Sequence, residues 1–68
     1  MKEKELIAKY HDVVSAVSKA NECDSGVAIS MIKHEFYAKM HINGRTHKYA
    51  GIPEGFNYTQ FAKDAGII

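Results

Sequence analysis

The sequence predicts a small α+β fold in the order α-β-β-β-α, a three-stranded antiparallel meander with an N-terminal helix and a short C-terminal helix. Three observations predict it. An apolar stripe with helical spacing runs through residues 3–22. An Asn43-Gly44 dipeptide separates two runs in which apolar and polar residues alternate. A Gly51-Ile52-Pro53 stop closes the second run.

The first helix rests on Leu6, Tyr10, Val13, Val17 and Ala20, spaced 4-3-4-3 along one helical face. Ile7 and Val14 widen the stripe, while Lys4, Lys9, Asp12 and Lys19 occupy the other side. Its 3.5-residue average spacing also suits another helix, either internal or from a second copy. Residues 27–32 read two ways. Val27, Ile29 and Met31 alternate as a strand would, and the β-branched content favours a strand. Asp24 or Ser25 could instead cap a helix carrying Ile29, Ile32 and Phe36 on one side.

The hairpin pairs strands near 36–42 and 46–52. Phe36, Ala38, Met40 and Ile42 alternate with Tyr37, Lys39 and His41. Asn43-Gly44 supplies the positive φ that a tight turn requires. A three-residue loop, Asn43–Arg45, pairs Phe36 with Ile52 and sets His41 opposite His47. Pro53 lacks an N–H and ends the strand. A last helix near 54–65 turns Phe56, Phe61 and Ala65 inward, and Gly66 stops it.

Sixty-eight residues make one domain, 1–68. Chains this short bury only about 60% of the surface the unfolded chain exposes. Extra support from disulfides, metal or association is common at this size. The one cysteine, Cys23, makes no internal disulfide, and no four-ligand zinc pattern exists. A reducing, cytoplasmic location follows. The start of the chain has no uninterrupted apolar run of the signal-peptide kind, and no run approaches the ~20 apolar residues of a membrane helix.

Net charge is +1, but unevenly spread. Residues 1–24 hold four lysines against five acids. Residues 25–52 hold Lys33, Lys39, Arg45 and Lys48 against Glu35 alone.

The stretch RTHKYAGIP resembles the strand and stop of the KTSC domain family, named for a C-terminal region of some lysyl-tRNA synthetases. The matching positions are Asn43, Gly44, Tyr49, Gly51, Ile52 and Pro53, with His47 where an aromatic is usual. Ile29 and Ile32 resemble the paired aliphatics of the family's first strand. The resemblance covers roughly residues 25–62. The chain departs from the pattern in a shorter turn at Lys33–Glu35, a phase shift before Asn43, and the added helix 3–22. The family occurs often in bacteria and phages and has no established catalytic residues, so the resemblance implies a binding module.

No constellation points to catalysis. Cys23 and His11 would lie about 18 Å apart along one regular helix at 1.5 Å per residue, too far for a nucleophile–base pair. The eight carboxylates are scattered, and most read as a solvated face or as favourable charge near helix N-termini. The glycines match no phosphate-cradling fingerprint. His34, His41 and His47 cluster near the hairpin, but no carboxylate or thiolate completes a metal site. No cofactor and no metal are expected.

The candidate binding surface is therefore the basic hairpin. Tyr37, Lys39, His41, Arg45, His47 and Lys48 would line two strands and their turn. Cations beside aromatics suit an acidic protein surface or a nucleic-acid strand. The expected function is a small non-enzymatic binding protein, a protein-binding module or inhibitor of bacterial or phage type. The alternative is nucleic-acid binding through 36–52. A homodimer through helix 3–22 is a further expectation.

Overall fold

The structure, a computed structural model, describes residues 1–41 and 49–68, with side chains for all of these but Met40 and His41. Its described residues form four helices and no strand. They are α1 (Glu3–Lys9), α2 (His11–Asn21), α3 (Ser25–His41) and α4 (Tyr58–Ala65). The expected α+β meander is thereby corrected. Residues 27–32 and 36–41 lie in one helix, and 49–52 form no strand. The Asn43-Gly44 turn, the His41–His47 pairing and residues 46–48 lie outside the described residues.

The first two helices are the expected helix 3–22, broken at Tyr10. Tyr10 leaves helical geometry at φ −107° and ψ 31°. The hydrogen-bond ladder nevertheless passes through it, from Tyr10 N to Leu6 O and from Val14 N to Tyr10 O. Its ring meets Phe61 edge-on at 5.1 Å and Phe56 at 6.1 Å. The break is thus placed by contacts with a distant part of the chain.

At its far end α2 stops on Glu22, which takes left-handed φ 51°. Cys23 N donates to Ser18 O at 3.0 Å, and the Ser18 hydroxyl donates to Cys23 O. Asp24 then starts α3 by accepting from Val27 N at 2.9 Å. This is the side-chain cap of a helix N-terminus, and it selects the second of the two readings open for residues 27–32.

α3 is the central element, packed by α1, α2 and α4. At about 100° per residue its apolar side chains fall almost all round the axis, as expected of a helix covered on several sides. Ala28, Ile29, Ile32 and Phe36 are buried, each 3% exposed or less. Ala28, Ile29 and Ile32 share one core cluster with Leu6, Val14 and Val17 from α1 and α2 and Phe61 from α4. Each fully buried aliphatic or aromatic side chain contributes about 1.5–3 kcal/mol relative to exposure.

The apolar stripe of 3–22 is spent inside the chain. Leu6, Val13, Val14 and Val17 are buried, while Ile7 and Tyr10 pack partly against the same core. Most of the apolar surface that suggested a dimer through this helix is thus taken up within the chain, with Ala20 exposed.

Between α3 and α4 the segment 49–53 straps across α2 and α3. The Tyr49 hydroxyl lies 2.8 Å from His34 Nδ1. Asn21 Nδ2 donates to Val17 O at 2.8 Å and to Ala50 O at 2.9 Å, tying α2 to the strap. Gly51, at φ +95°, lies directly on the α2 backbone. A Cβ there would come within 2.6 Å of Ala16 O. Ile52 then enters the core at 4% exposure. The Gly-Ile-Pro stretch is thus a docking point on a helix, not the end of a strand.

α4 begins later than expected. Asn57 Oδ1 accepts from Gln60 N at 3.0 Å and caps it. Gly66 ends it at φ 79°, with Ile67 N bonded back to Ala62 O. No described helix is long and apolar enough to cross a membrane.

Candidate binding surface

Of the six candidate residues, the structure describes the side chains of Tyr37 and Lys39. His41 is the last residue of α3. Arg45, His47 and Lys48 lie outside the described residues. Tyr37 is 43% exposed, its ring edge-on to Phe36 at 5.8 Å. Lys39 is exposed, with its ammonium 5.3 Å from the Tyr58 ring centre.

On a strand, Tyr37 and Lys39 would share one face. On a helix they lie about 200° apart around the axis. The structure therefore directs Lys39 toward α4 and Tyr37 away from it. Burial raises the pKa of the Tyr58 phenol first, and the charges of Glu35 and Glu54 raise it further. The ring beneath Lys39 thus stays neutral, and the cation rests on a π face.

Most of the carboxylates are expected on a solvated surface or near helix N-termini. Glu35 departs from that, being 0% exposed within α3. Its carboxylate has polar or electrostatic company, and no buried side-chain polar atom among the described residues lacks a hydrogen-bond partner. Because Glu35 is the one acid in α3, the outward surface of this helix carries no carboxylate. Its exposed positions include Val27, Ser30, His34 and Tyr37, spaced 3-4-3 along one stripe. This stripe was readable in the sequence, but only once residues 25–41 are taken as helix.

A second polar cluster joins the α1–α2 break to α4. Asp64 Oδ2 receives Lys9 Nζ at 2.6 Å and the Tyr10 hydroxyl at 2.5 Å. Gln60 Nε2 donates to Asp64 Oδ1 at 3.2 Å. The hydrogen bond from Lys9, then that from Tyr10, holds the Asp64 pKa below its ordinary value. Tyr10 is pushed up to about 12, by burial first and then by its hydrogen bond to Asp64 and the Asp64 charge. A carboxylate so supplied with donors is poorly suited to accept a proton from a substrate, and the cluster acts as a latch between elements. The neighbouring hollow, about 390 Å³, is lined by one continuous stretch, Ala8–Val13.

Among the described residues no three histidine, cysteine or acidic side chains gather to hold a metal ion. His34 contacts Tyr49, and Cys23 is half-buried against the core. No family model matches the chain, and no curated protein or solved structure matches it either.

Proposed function

We propose that this chain is a small non-enzymatic binding protein whose partner is another protein. The partner meets the C-terminal part of α3 and the residues that follow it: Tyr37, Lys39, His41, Arg45, His47 and Lys48. The observation that carries this reading is the surface of α3, where Glu35 is withdrawn into the core while Tyr37 stands 43% exposed. Tyrosine is enriched at protein interfaces and among their energetic anchors. Lys33 and Lys39, with no outward carboxylate on their helix, favour a partner surface bearing acids.

Nucleic-acid binding is the second reading, favoured by the same acid-free helix surface. The carboxylates at the start of α3, Glu22 and Asp24, oppose a helix that enters a groove by its N-terminus.

Capture from a bacterial lysate, with and without nuclease, tests both. A protein partner survives nuclease and loses affinity when Lys39→Glu is combined with Arg45→Glu. A nucleic-acid partner vanishes with nuclease and weakens with salt, with a log–log slope of about −0.7 per phosphate neutralised on a single strand. A double variant that folds and captures its partner as tightly as the parent removes this surface from consideration.

A further inference from the structure

α4 holds Lys9 of α1 and Lys39 of α3 by opposite means. Lys9 Nζ lies 2.6 Å from Asp64 Oδ2, so its charge is met within the chain. Lys39 Nζ lies 5.3 Å from the centre of the Tyr58 ring and makes no ion pair among the described residues. Glu35 stands one turn earlier on α3, at the spacing of an i,i+4 pair, but it is withdrawn into the core. A ring face attracts an ammonium without neutralising it, and the ammonium carries three hydrogen-bond donors. The Lys39 side chain is exposed. It is therefore a cation held in place with its charge still unmet.

The platform beneath it is itself fixed. Tyr58 opens α4 directly after the Asn57 cap. Its ring stands edge-on to Phe56 at 5.0 Å, and Phe56 lies 6.0 Å from Phe61 and 6.1 Å from Tyr10. Phe61 is fully buried. A chain of rings thus ties Tyr58 to the core. Burial, then the charges of Glu35 and Glu54, keeps the phenol protonated. The ring does not become a phenolate that would pair with the ammonium itself.

We propose that Tyr58 is a positioning residue of the binding surface, whose ring presents the Lys39 ammonium to a carboxylate of the partner protein. This deepens the binding reading and rests on it. The gain is entropic. Lysine has many rotamers, and ordering such a side chain on association weakens binding by about 2- to 10-fold. A lysine already resting on a ring has less freedom to lose. α4 thereby joins the site through Lys39 rather than through a contact of its own.

The first measurement needs no partner. In the free protein the ring current of Tyr58 should move the Lys39 ε-methylene protons upfield of those of an unstructured lysine. Tyr58→Phe should keep that shift and Tyr58→Leu should remove it. The second uses the protein that the parent chain captures from a bacterial lysate, purified and titrated by calorimetry. Lys39→Gln and Tyr58→Leu should each weaken binding about 2- to 10-fold. Tyr58→Phe should restore the parent affinity. Lys39→Gln combined with Tyr58→Leu should bind no more weakly than Lys39→Gln alone. Thermal melts verify the fold, and Tyr58→Met replaces Tyr58→Leu if the latter does not fold.

Absence of the upfield shift in the parent overturns the inference. So does a Tyr58→Leu variant that binds like the parent while Lys39→Gln does not. Losses that add in the double variant also overturn it, because they mark Tyr58 as a direct contact. In these three outcomes the binding reading stands. If Lys39→Gln binds like the parent, Lys39 leaves the surface and the inference falls. If Lys39→Glu combined with Arg45→Glu also binds like the parent, or if only nucleic acid is captured, the binding reading falls and takes the inference with it.

Discussion

Replacing Gly51 by alanine tests the strap. The position has φ +95°, and an added Cβ would sit 2.6 Å from Ala16 O and 2.8 Å from Val17 Cα. Holding a non-glycine residue in a left-handed region costs about 1–3 kcal/mol. The contact is with helix backbone, which does not rotate aside, so overpacking adds about 1–3 kcal/mol. If the strap lifts instead, it gives up the burial of Ile52, about 1.5–3 kcal/mol, and the Asn21–Ala50 hydrogen bond, about 0.5–1.5 kcal/mol. Either route costs about 2–6 kcal/mol. At about 0.05–0.15 kcal/mol per residue the whole chain has a net stability of about 3–10 kcal/mol, so the variant gives up a large share of it. Gly55 supplies the control. It also has positive φ, 75°, but a Cβ there meets nothing within 4 Å. Gly55→Ala should therefore show the conformational cost alone. Thermal melts followed at 222 nm separate the two, because each kcal/mol shifts Tm by about 4–8 °C at this size. If Gly51→Ala melts no lower than Gly55→Ala, the close approach to α2 is not what requires glycine.

Asn57→Ala removes the cap of α4 and should cost about 1 kcal/mol, read as a lower urea midpoint with unchanged slope. Glu35→Ala leaves a cavity at a fully buried position and should cost about 2–4 kcal/mol in the same assay. The folded pKa of Asp64 lies below its unfolded value, so its stabilisation is present above ordinary carboxylate pKa values and is lost as pH falls through the folded value. The parent should thus lose stability below about pH 4, and Asp64→Asn should flatten that part of the profile. The Tyr10 pKa moves the other way, up to about 12. Its contribution is full below about pH 10 and is lost as pH rises through the folded value. Tyr10→Phe should remove the latest phase of the tyrosine absorbance titration.

The first helix was legible because its apolar residues fall on one side. Its break was not, since the geometry of Tyr10 answers to Phe56, Phe61 and Asp64, about fifty residues away. α3 failed the periodicity test for a physical reason. A helix packed by three others is apolar nearly all round, and such a sequence matches a two-residue period as readily as a helical one. Val27, Ile29 and Ile32 then tipped the reading toward strand through β propensity, which tertiary packing overrides here. The decisive local signal was Asp24, whose cap on Val27 N was visible as an alternative. The stop at Gly66 was legible because it depends on one local conformation.

Of the candidate surface, Tyr37 and Lys39 have described side chains; both are exposed, but they do not share a face. Exposure of Tyr37 and Lys39 follows from their chemistry, whereas their directions follow from the period of the element that carries them. The motif Gly51-Ile52-Pro53 shows the same division. Read as a strand end, its glycine and proline serve to stop pairing. In the structure Gly51 lets the chain touch the α2 backbone, and Ile52 fills the core beside it. Any chain that straps a short segment over a helix needs a small residue at the contact and an apolar one next to it. The part of the resemblance that falls on these three residues therefore speaks for backbone geometry, and the proposed binding partner has to be sought through the side chains that α3 turns outward.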